Sequence, residues 1–221
     1  MRDKQTCPLC TQSSAFFCAD KRRRFFLCAQ CGLLSADVHS HLSLAQEKAE
    51  YDLHNNDPND PHYRAFLTQL LDPLKPHLYA GMQGLDYGCG PGPTLSVMLR
   101  EQGVLMQDYD PFYAPHEHLV QQQYDLVTCT EVVEHFNTPR LAWQALRQCL
   151  RPGGYLGIMT WLVPSTTPED FRRWSYKNDP SHVSFYQPQT LAWIGQQLGL
   201  SVHIHSERVV LMQAQTATAS S

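Results

Sequence analysis

Residues 85–93 read Leu-Asp-Tyr-Gly-Cys-Gly-Pro-Gly-Pro, and this stretch indicates which fold the chain adopts. A short apolar run enters a turn that contains Gly88, Gly90 and Gly92, and a helical pattern follows it. Glycines in such a turn let the backbone bend tightly and lie directly against a ligand. From about residue 84 onward, strand and helix patterns alternate, which predicts an α/β fold built on a parallel sheet with crossover helices.

The residues between these glycines indicate which kind of ligand the turn suits. A dinucleotide turn reads Gly-x-Gly-x-x-Gly, and Pro93 stands at the third glycine position here. Pro91 and Pro93 each lack the backbone N–H that a pyrophosphate would use at the helix start. Asp86 would also place a carboxylate close to that anion. A ligand with an amino group, hydroxyls and a positive charge, such as S-adenosylmethionine, therefore fits the turn better than a diphosphate.

A second acid, Asp110, ends the next predicted strand, eighteen residues after Gly92. An acid at this place can accept hydrogen bonds from both hydroxyls of a ribose that lies across the glycine turn. Asp108 is the weaker candidate, because strand alternation would point its side chain the other way from that of Tyr109. The glycine turn and Asp110 together predict a nucleoside-binding crevice.

The hydrophobic pattern predicts the remaining elements of the chain. Strands are expected at 84–87, 104–108, 124–130 and 155–160, and helices at about 93–102, 138–150 and 188–198. Two further strands, 200–206 and 208–214, have almost no link between them, so they must be antiparallel. Upstream, we expect one helix near 43–51 and an amphipathic helix over 62–79, interrupted near Pro73 and Pro76.

Four cysteines near the amino terminus form two Cys-x-x-Cys pairs, Cys7/Cys10 and Cys28/Cys31, which are separated by seventeen residues. This spacing predicts a tetrahedral zinc site, because each two-residue gap lets both sulfurs face one ion. Four thiolates leave no position for a catalytic water, so the zinc would be structural. The basic run at 21–24 could dock nucleic acid or an acidic partner, although a solvated hairpin tip is the simpler interpretation.

Composition narrows the class of protein. Of the 221 residues, 43% are hydrophobic and 17% are charged, which is typical of a globular chain. No long apolar run and no apolar signal core are found, so we expect no membrane span and a cytoplasmic protein with reduced cysteines. The net charge of −4 is uneven, since residues 1–33 hold six Lys/Arg and two Asp/Glu and the remainder holds 11 and 19. The main body is therefore a poor general binder of polyanions.

Three stretches resemble the class I S-adenosylmethionine-dependent methyltransferases. Residues 85–92 resemble the first motif of that family, and 124–135, Tyr-Asp-Leu-Val-Thr-Cys-Thr-Glu-Val-Val-Glu-His, resemble its fourth strand and following turn. Residues 150–154, Leu-Arg-Pro-Gly-Gly, resemble the approach to its fifth strand. The chain is most similar to small-molecule methyltransferases related to the quinone-biosynthesis group, and some similar proteins carry an amino-terminal cysteine module. The resemblance implies a seven-stranded Rossmann-like sheet that ends in a reversed hairpin.

The resemblance also implies roles for individual residues. Asp86 would lie near the methionine amino group, with Gly88 and Gly90 against the cofactor, and Asp110 would hold the ribose hydroxyls. Further cofactor contacts are expected at Tyr87, Cys89, Gly92, Tyr109, Thr130 and Glu131.

One segment departs from the family pattern. Only thirteen residues separate Asp110 from Tyr124, too few for the helix and third strand that the family usually has there. The candidates near the adenine are then His116, Glu117 and Leu119. The expected organisation is a zinc-ribbon-like module at 1–34, a linker and helical segment at 35–80, the methyltransferase domain at 81–214 and a flexible tail at 215–221.

Methyl transfer mainly requires alignment of donor and acceptor, because the sulfonium of S-adenosylmethionine is already a good electrophile. A base is needed only where the acceptor must lose a proton. His135, just past the fourth strand, and His182 are the candidates for this base, with Glu134 beside the acceptor. Each of the three could equally be a capping or loop-ordering group.

The insertion at 161–186 is expected to form a lid or a substrate wall, and its Arg172, Arg173 and Lys177 would suit an anionic acceptor. The aromatic residues of the insertion could instead merely cover the edge of the sheet. We therefore expect an enzyme that transfers a methyl group from S-adenosylmethionine to a small molecule. Two alternatives stay open, an RNA methyltransferase that docks through the zinc module and a cofactor-binding protein that has lost catalysis. The sequence leaves the acceptor and the oligomeric state open.

Overall fold

A computed structural model describes residues 3–53 and 56–216 of the chain, so most of the expected tail lies outside the described residues. The strands are β1 (Lys4–Thr6), β2 (Ser13–Ala19), β3 (Arg24–Leu27), β4 (Leu34–Ala36), β5 (Gln83–Tyr87), β6 (Leu105–Tyr109), β7 (Tyr124–Thr130), β8 (Leu150–Met159), β9 (Ser184–Phe185), β10 (Leu200–Ile204) and β11 (Val209–Ala214). The helices are α1 (Leu44–Tyr51), α2 (Pro61–Leu74), α3 (Thr94–Arg100), α4 (Pro139–Gln148), α5 (Pro168–Arg173) and α6 (Pro188–Leu198). Within the described ranges, no helix has the length and apolar character needed to cross a membrane.

The larger sheet has the strand order β10-β11-β8-β7-β5-β6. Strands β5 to β8 are parallel, whereas β11 runs antiparallel to both β8 and β10. This arrangement confirms the expected parallel sheet with a reversed terminal hairpin. All four parallel strands end at the same edge of the sheet, which is where ligands bind in open α/β folds.

The expectation of a seventh strand is wrong for the described chain. The segment 111–123 contains a bridge between Asp110 and Ala114 and a 3₁₀ turn at Leu119–Gln121, but no strand. The physical reason is length, because a parallel connection needs a crossover of a dozen or more residues before the next strand begins. The strand expected at 155–160 is also longer than predicted, since β8 begins at Leu150 and passes through a register shift near Tyr124.

Two apolar cores cover the two faces of the larger sheet. The face that carries Leu126 packs against α2 and α3, and the face that carries Val127 packs against α4 and α6. Because Leu126 and Val127 are consecutive on β7 and both fully buried, this strand is covered on both sides, as a central parallel strand must be. The expected upstream helices are confirmed as α1 and α2, and α2 gives way to a 3₁₀ turn directly after Pro73 and Leu74.

The smaller sheet joins the cysteine-containing segment to the insertion that follows β8. Its strand order is β1-β2-β3-β4-β9, all antiparallel, and β9 comes from the insertion. Phe25 on β3 lies 5.0 Å from the ring of Phe171, which in turn lies 5.5 Å from the ring of Phe185 on β9. The insertion therefore completes the sheet and the core of the amino-terminal segment.

Candidate functional site

The glycine turn lies between the carboxyl ends of β5 and β6. The N–H of Gly88 donates to the Tyr109 carbonyl at 2.7 Å, which ties the turn to the end of β6. Gly88 has φ +79°, and a Cβ there would lie 2.5 Å from Cγ2 of Val132. A Cβ on Gly92 would lie 1.9 Å from the backbone oxygen of Asn56. The turn is therefore a closely packed backbone surface that requires glycine at both positions.

Asp86 lies beneath the turn and is 2% exposed. Its carboxylate accepts hydrogen bonds from Thr128 Oγ1 at 2.6 Å and from Ser96 Oγ at 3.4 Å. Burial raises the pKa of this carboxyl to about 7, although the bond from Thr128 opposes the shift. Asp86 therefore joins β5, β7 and α3 behind the turn, and a cationic ligand above it would favour its ionised form.

The carboxylate of Asp110 is bonded to backbone N–H groups on both of its oxygens. Oδ2 accepts from Gly90 at 3.0 Å, and Oδ1 accepts from Phe112 at 2.8 Å and from Tyr113 at 3.1 Å. Asp110 thus holds the glycine turn against the chain that follows β6. A structural role for this acid accounts for all three bonds.

Asp108 faces a cavity of about 590 Å³ beside the glycine turn. Its Oδ2 is 2.6 Å from Nη2 of Arg100, whereas its Oδ1 is buried with no hydrogen-bond partner among the described residues. An unsatisfied buried carboxylate oxygen is costly, which favours a ligand donor at this point. As strand alternation predicts, the side chains of Asp108 and Tyr109 lie on opposite faces of β6. Because β6 is the edge strand, the face that carries Asp108 opens to the cavity. His116 and Leu119, expected near the adenine, line the same cavity.

The remaining predicted cofactor residues surround this crevice. The rings of Tyr87 and Tyr109 are 5.2 Å apart and pack against the core. Cys89 lines the cavity, and burial raises the pKa of its thiol. Thr130 ends β7, and Glu131 follows it with φ +52°, a left-handed conformation that is uncommon for a residue other than glycine. Such outliers concentrate at functional sites.

Beyond β7, two glutamates share one tyrosine hydroxyl. Tyr176 Oη lies 2.9 Å from Glu131 Oε2 and 2.5 Å from Glu134 Oε1. The hydroxyl has a single hydrogen, so one carboxyl must be protonated and donate to Tyr176. Burial raises the pKa of the fully buried Glu134 well above its ordinary value, and we therefore place the proton there. Glu134 Oε2 is buried without a hydrogen-bond partner in the described part of the chain.

His135 and His182 lie beside these carboxyls, with ring centroids 4.7 Å apart. His135 Nδ1 is 3.2 Å from the Ser181 carbonyl, and His182 Nδ1 is 2.8 Å from the Tyr176 carbonyl. Because a carbonyl only accepts, both Nδ1 atoms carry hydrogen, and in the neutral rings the lone pairs are on Nε2. Ligand atoms of Glu134, His135 and His182 all lie within 4.8 Å of one another, so the cluster can hold a proton or a divalent cation.

Helix α1 covers this cluster, and nothing in the sequence pattern signals that contact. The Tyr51 ring lies edge-on to His135 at 5.0 Å, and its hydroxyl donates to Glu47 at 2.7 Å. Asp52 accepts a hydrogen bond from the Tyr113 hydroxyl at 2.6 Å. The linker therefore packs across the carboxyl ends of the strands and closes the region between the glycine turn and the histidines.

The sulfur atoms of the four predicted metal ligands lie close together. Sγ of Cys7 lies 3.6 Å from Sγ of Cys31, Sγ of Cys10 lies 3.3 Å from Sγ of Cys28, and all four sulfurs are within 4.8 Å of one another. Tetrahedral zinc with bonds of about 2.3 Å to sulfur would place the sulfurs roughly 3.8 Å apart. The hydrogen bond from Cys31 holds the pKa of the Cys7 thiol down to about 5, so a thiolate forms readily there. The arrangement fits a structural zinc ion.

Two of the three cations expected to attract an anionic acceptor are paired elsewhere, and the third, Arg173, is exposed. Lys177 is 2% exposed and bonds to Asp20 at 3.2 Å, and Arg172 pairs with Glu169 at 3.2 Å. Arg208 instead lies beside the acid cluster, with its guanidinium 4.0 Å from the centre of the Trp161 ring and 4.0 Å from Glu131 Oε1. Sequence analysis missed Arg208 because it belongs to the terminal hairpin, far along the chain from the glutamates.

The family model described as "Methyltransferase domain" matches residues 60–205, which is more than half of the chain. This match includes the glycine turn, Asp108 on β6, Asp110 directly after β6 and the cluster at Glu134, His135 and His182.

Two curated relatives illustrate the sequence similarity. The chain is 30% identical over 130 residues to the ubiquinone biosynthesis O-methyltransferase of Aeromonas salmonicida, covering 56% of this chain and 55% of that protein. It is 28% identical over 133 residues to the enzyme of the same name from Salmonella arizonae, covering 57% and 55%. The chain spans about half the length of the curated relatives it matches.

A solved structure supports the fold. Burkholderia thailandensis 1,6-didemethyltoxoflavin-N1-methyltransferase, with bound 1,6-didemethyltoxoflavin and S-adenosylhomocysteine, superposes with a TM-score of 0.55 at 13% identity, covering 89% of this chain and 97% of that one. At this identity the likeness concerns the fold alone. Because the methyltransferase family model covers more than half of the chain, the chain belongs to the class I S-adenosylmethionine-dependent methyltransferase family.

Proposed function

We propose that this protein transfers a methyl group from S-adenosylmethionine to a hydroxyl oxygen of a small-molecule acceptor. One observation carries the proposal: the glycine crevice and the cluster of Glu134, His135 and His182 lie at the same edge of the sheet, after neighbouring strands. The curated relatives are named O-methyltransferases of ubiquinone biosynthesis, and this name supports an oxygen acceptor.

In this proposal, the cofactor lies along the glycine turn. Gly88 and the buried Asp86 would hold its methionine part, and the cavity lined by His116 and Leu119 would hold its adenine. Asp108 would accept the ribose hydroxyls, because the residue lines the cavity and one of its carboxylate oxygens lacks a partner among the described residues. Asp110 holds the turn in place and remains the second candidate for the ribose.

Asp108→Asn is expected to raise the Kd for S-adenosylmethionine about 5- to 150-fold, since the ribose loses a charged acceptor whose hydrogen bonds are worth about 1–3 kcal/mol. Isothermal titration calorimetry measures this change. Asp110→Asn is the matched comparison, because its amide oxygen can still accept from Phe112 and Tyr113. A large loss of affinity for S-adenosylmethionine in Asp110→Asn, with none in Asp108→Asn, would assign the ribose contact to Asp110 instead.

Gly88→Ala is expected to weaken cofactor binding by about 5- to 30-fold, because a Cβ in the left-handed region costs roughly 1–2 kcal/mol and also meets Val132. The turn must shift to relieve that contact. Gly81→Ala is a matched control, since Gly81 has φ +81° and nothing lies within 4 Å of its added Cβ. Equal cofactor affinity in the two variants would show that the turn does not touch the ligand.

The transfer itself is an in-line displacement. The acceptor oxygen attacks the methyl carbon, the carbon–sulfur bond breaks, and its electron pair remains on sulfur, which leaves S-adenosylhomocysteine and a methyl ether. The hydroxyl proton passes to a neutral Nε2 of His135 or His182, whose Nδ1–H groups are held by backbone carbonyls. Glu134 is protonated in the resting cluster, so we assign it acceptor contact rather than the role of first base.

The same three residues also suit a divalent cation. A bound cation would lower the pKa of the acceptor hydroxyl, which is an alternative way to remove its proton. Glu134 would then lose its proton and turn its unpartnered Oε2 towards the ion, beside the two imidazoles. Activity that survives removal of loosely bound metal would assign the histidines to proton transfer.

We propose that Cys7, Cys10, Cys28 and Cys31 hold a structural zinc ion. Three of the four thiols are fully buried, and Cys7, Cys28 and Cys31 contribute to the core that covers one face of the larger sheet. The zinc would therefore organise the amino-terminal segment against the main domain rather than take part in methyl transfer.

The RNA alternative depends on the basic run at 21–24. Arg23 is buried and bonded to backbone carbonyls, while Arg24 lies over the ring of Phe16 at 4.8 Å, which leaves Lys21 and Arg22 exposed. Half of the run therefore makes contacts within the protein, which weakens the case for RNA docking through it. Equal binding of transfer RNA by the wild type and by the Lys21→Ala/Arg22→Ala double variant would count against RNA docking through this run.

Two measurements test the proposal. Calorimetry with S-adenosylmethionine distinguishes an active cofactor site from a protein that has lost cofactor binding. Incubation with S-adenosylmethionine and a panel of catechols, phenols and amines, followed by mass spectrometry, should give methyl ethers. Cofactor binding without any methylated product across the panel would contradict the hydroxyl assignment.

A further inference from the structure

Arg23 is a buried cation whose partners are backbone carbonyls of a distant loop. It is 7% exposed, and its Nη1 donates to the carbonyls of His182 at 2.7 Å and Pro180 at 3.2 Å. Its Nη2 donates to the carbonyl of Asp179 at 2.9 Å and also to that of Lys177. One guanidinium therefore satisfies four carbonyls within six consecutive residues, which uses the fork geometry that lysine lacks.

The loop that Arg23 holds carries two members of the acid–imidazole cluster. The Tyr176 hydroxyl donates to Glu131 and accepts from the protonated Glu134, and the Tyr176 carbonyl accepts from His182 Nδ1 at 2.8 Å. Residues Ser175–Asn178 form only a short 3₁₀ turn, and the first ladder bonds of the segment come at β9. Backbone bonds also reach this segment, since the N–H of His182 donates to the Asp179 carbonyl at 3.3 Å and that of Val183 donates to the Glu134 carbonyl at 2.9 Å. Among the side chains that hold the loop backbone, Arg23 makes the largest set of bonds.

A second cation strengthens the same junction. Lys177 is buried and bonds to Asp20 at 3.2 Å, and Asp20 also accepts from the N–H of Arg23 at 2.7 Å. The turn before β3, residues 20–23, is thus bonded to the loop at 177–182 through two buried positive charges, those of Arg23 and Lys177. Burying two cations costs more free energy than burying apolar side chains of similar size. We therefore expect Arg23 and Lys177 to fix the position of the loop at 177–182 in addition to any stability that they add.

Strand β3 connects this junction directly to the cysteine cluster. Arg23 precedes β3, and Cys28 follows it. At the cluster end, Gln187 Nε2 donates to the Gly32 carbonyl at 2.6 Å, and β4 pairs with β9 between the two anchors. The amino-terminal segment therefore holds the insertion at 177–182, at 184–185 and at 187.

We propose that Arg23 is a positioning residue for methyl transfer. We also propose that the cysteine-containing segment holds the loop at 177–182, which we call the acceptor loop, in place. Arg23 fixes the backbone of 177–182 and thereby sets the His182 imidazole and the Tyr176 hydroxyl against Glu134. This inference rests on the proposed function, because it assigns the reacting acceptor to that cluster.

The test compares Arg23→Lys and Arg23→Ala with Arg22→Ala, a control on the neighbouring exposed cation. In protein labelled with ¹⁵N at histidine, the His182 ring in the wild type should show a single tautomer with hydrogen on Nδ1. Both Arg23 variants should show mixed tautomers at the same pH, because the Tyr176 carbonyl is no longer held in place. Zinc content and the Kd for S-adenosylmethionine should stay within twofold of the wild type, roughly the limit of measurement.

Activity gives the second readout. With an acceptor found in the panel, kcat should fall about 10- to 100-fold in both Arg23 variants, the loss typical of a small misplacement of reacting groups. Guanidinium at millimolar concentration should restore part of the kcat of Arg23→Ala, whereas urea should not. If Arg23→Ala does not fold, Arg23→Lys decides the question by the same readouts.

Wild-type kcat and an unchanged His182 spectrum in folded Arg23→Lys would overturn the proposal. Failure of the proposed function looks different, because no acceptor is then methylated by the wild type. In that case the His182 spectrum still decides whether Arg23 sets the loop.

Discussion

Cys28→Ser is expected to release the zinc ion and to lower the free energy of unfolding by at least about 3 kcal/mol, since structural zinc sites supply about 10–16 kcal/mol in small domains. Cys28 is fully buried, and the cluster to which it belongs packs into the core of the larger domain. Loss of the ion should therefore destabilise both sheets rather than only the amino terminus. Metal analysis by mass spectrometry and denaturant unfolding measure the two effects.

Cys18→Ser is the matched control for this substitution. Cys18 is 1% exposed and lies on β2, but it belongs to the core around Phe25 and Phe171 rather than to the four-sulfur cluster. The variant should lose some stability from a buried hydroxyl while it keeps one zinc per chain. A wild-type protein that binds no zinc, or a Cys28→Ser variant as stable as Cys18→Ser, would contradict the structural zinc site.

Methyl transfer is expected to fall about 10²- to 10⁴-fold in His182→Gln, the range typical of losing a positioned general base. The glutamine amide can still donate to the Tyr176 carbonyl but cannot take the acceptor proton. His135→Gln should have a similar effect if both imidazoles share the proton. The kcat for the best acceptor of the panel measures the loss, and cofactor affinity should change little because the glycine turn is untouched.

His205→Gln is the control for the histidine variants. His205 is exposed, beyond β10 on the terminal hairpin, and it lies outside both the crevice and the cluster. It should therefore keep wild-type kcat. Full activity in both His135→Gln and His182→Gln would remove the histidines from the chemistry and leave alignment by the protein as the main contribution.

The glycine turn and the cysteine pairs could be read from the sequence because both depend on local chemistry. Gly88 and Gly90 have positive φ, a backbone conformation that favours glycine. A tight turn of this kind can therefore be recognised from the glycines of a few consecutive residues. Cys7 and Cys10 face one site because two residues separate them, and only their meeting with Cys28 and Cys31 required the fold. The alternating patterns likewise predicted the parallel strands and the terminal hairpin.

The choice between Asp108 and Asp110 could not be made from the sequence. Alternation correctly places Asp108 on the opposite side from Tyr109, but it does not reveal that this side of an edge strand opens to a cavity. The bonds that occupy Asp110 come from Gly90 and from the turn after β6, and no spacing rule predicts them.

By itself, the sequence determined the α/β class, the glycine crevice and the two cysteine pairs, because each follows from backbone preferences or short spacings. Only the tertiary structure decided that β9 completes the amino-terminal sheet and that the buried Arg23 is bonded to the acceptor loop at 177–182. Arg23 and His182 are 159 residues apart. Contacts at such separation depend on how whole elements pack, so they leave no periodic signal in the chain.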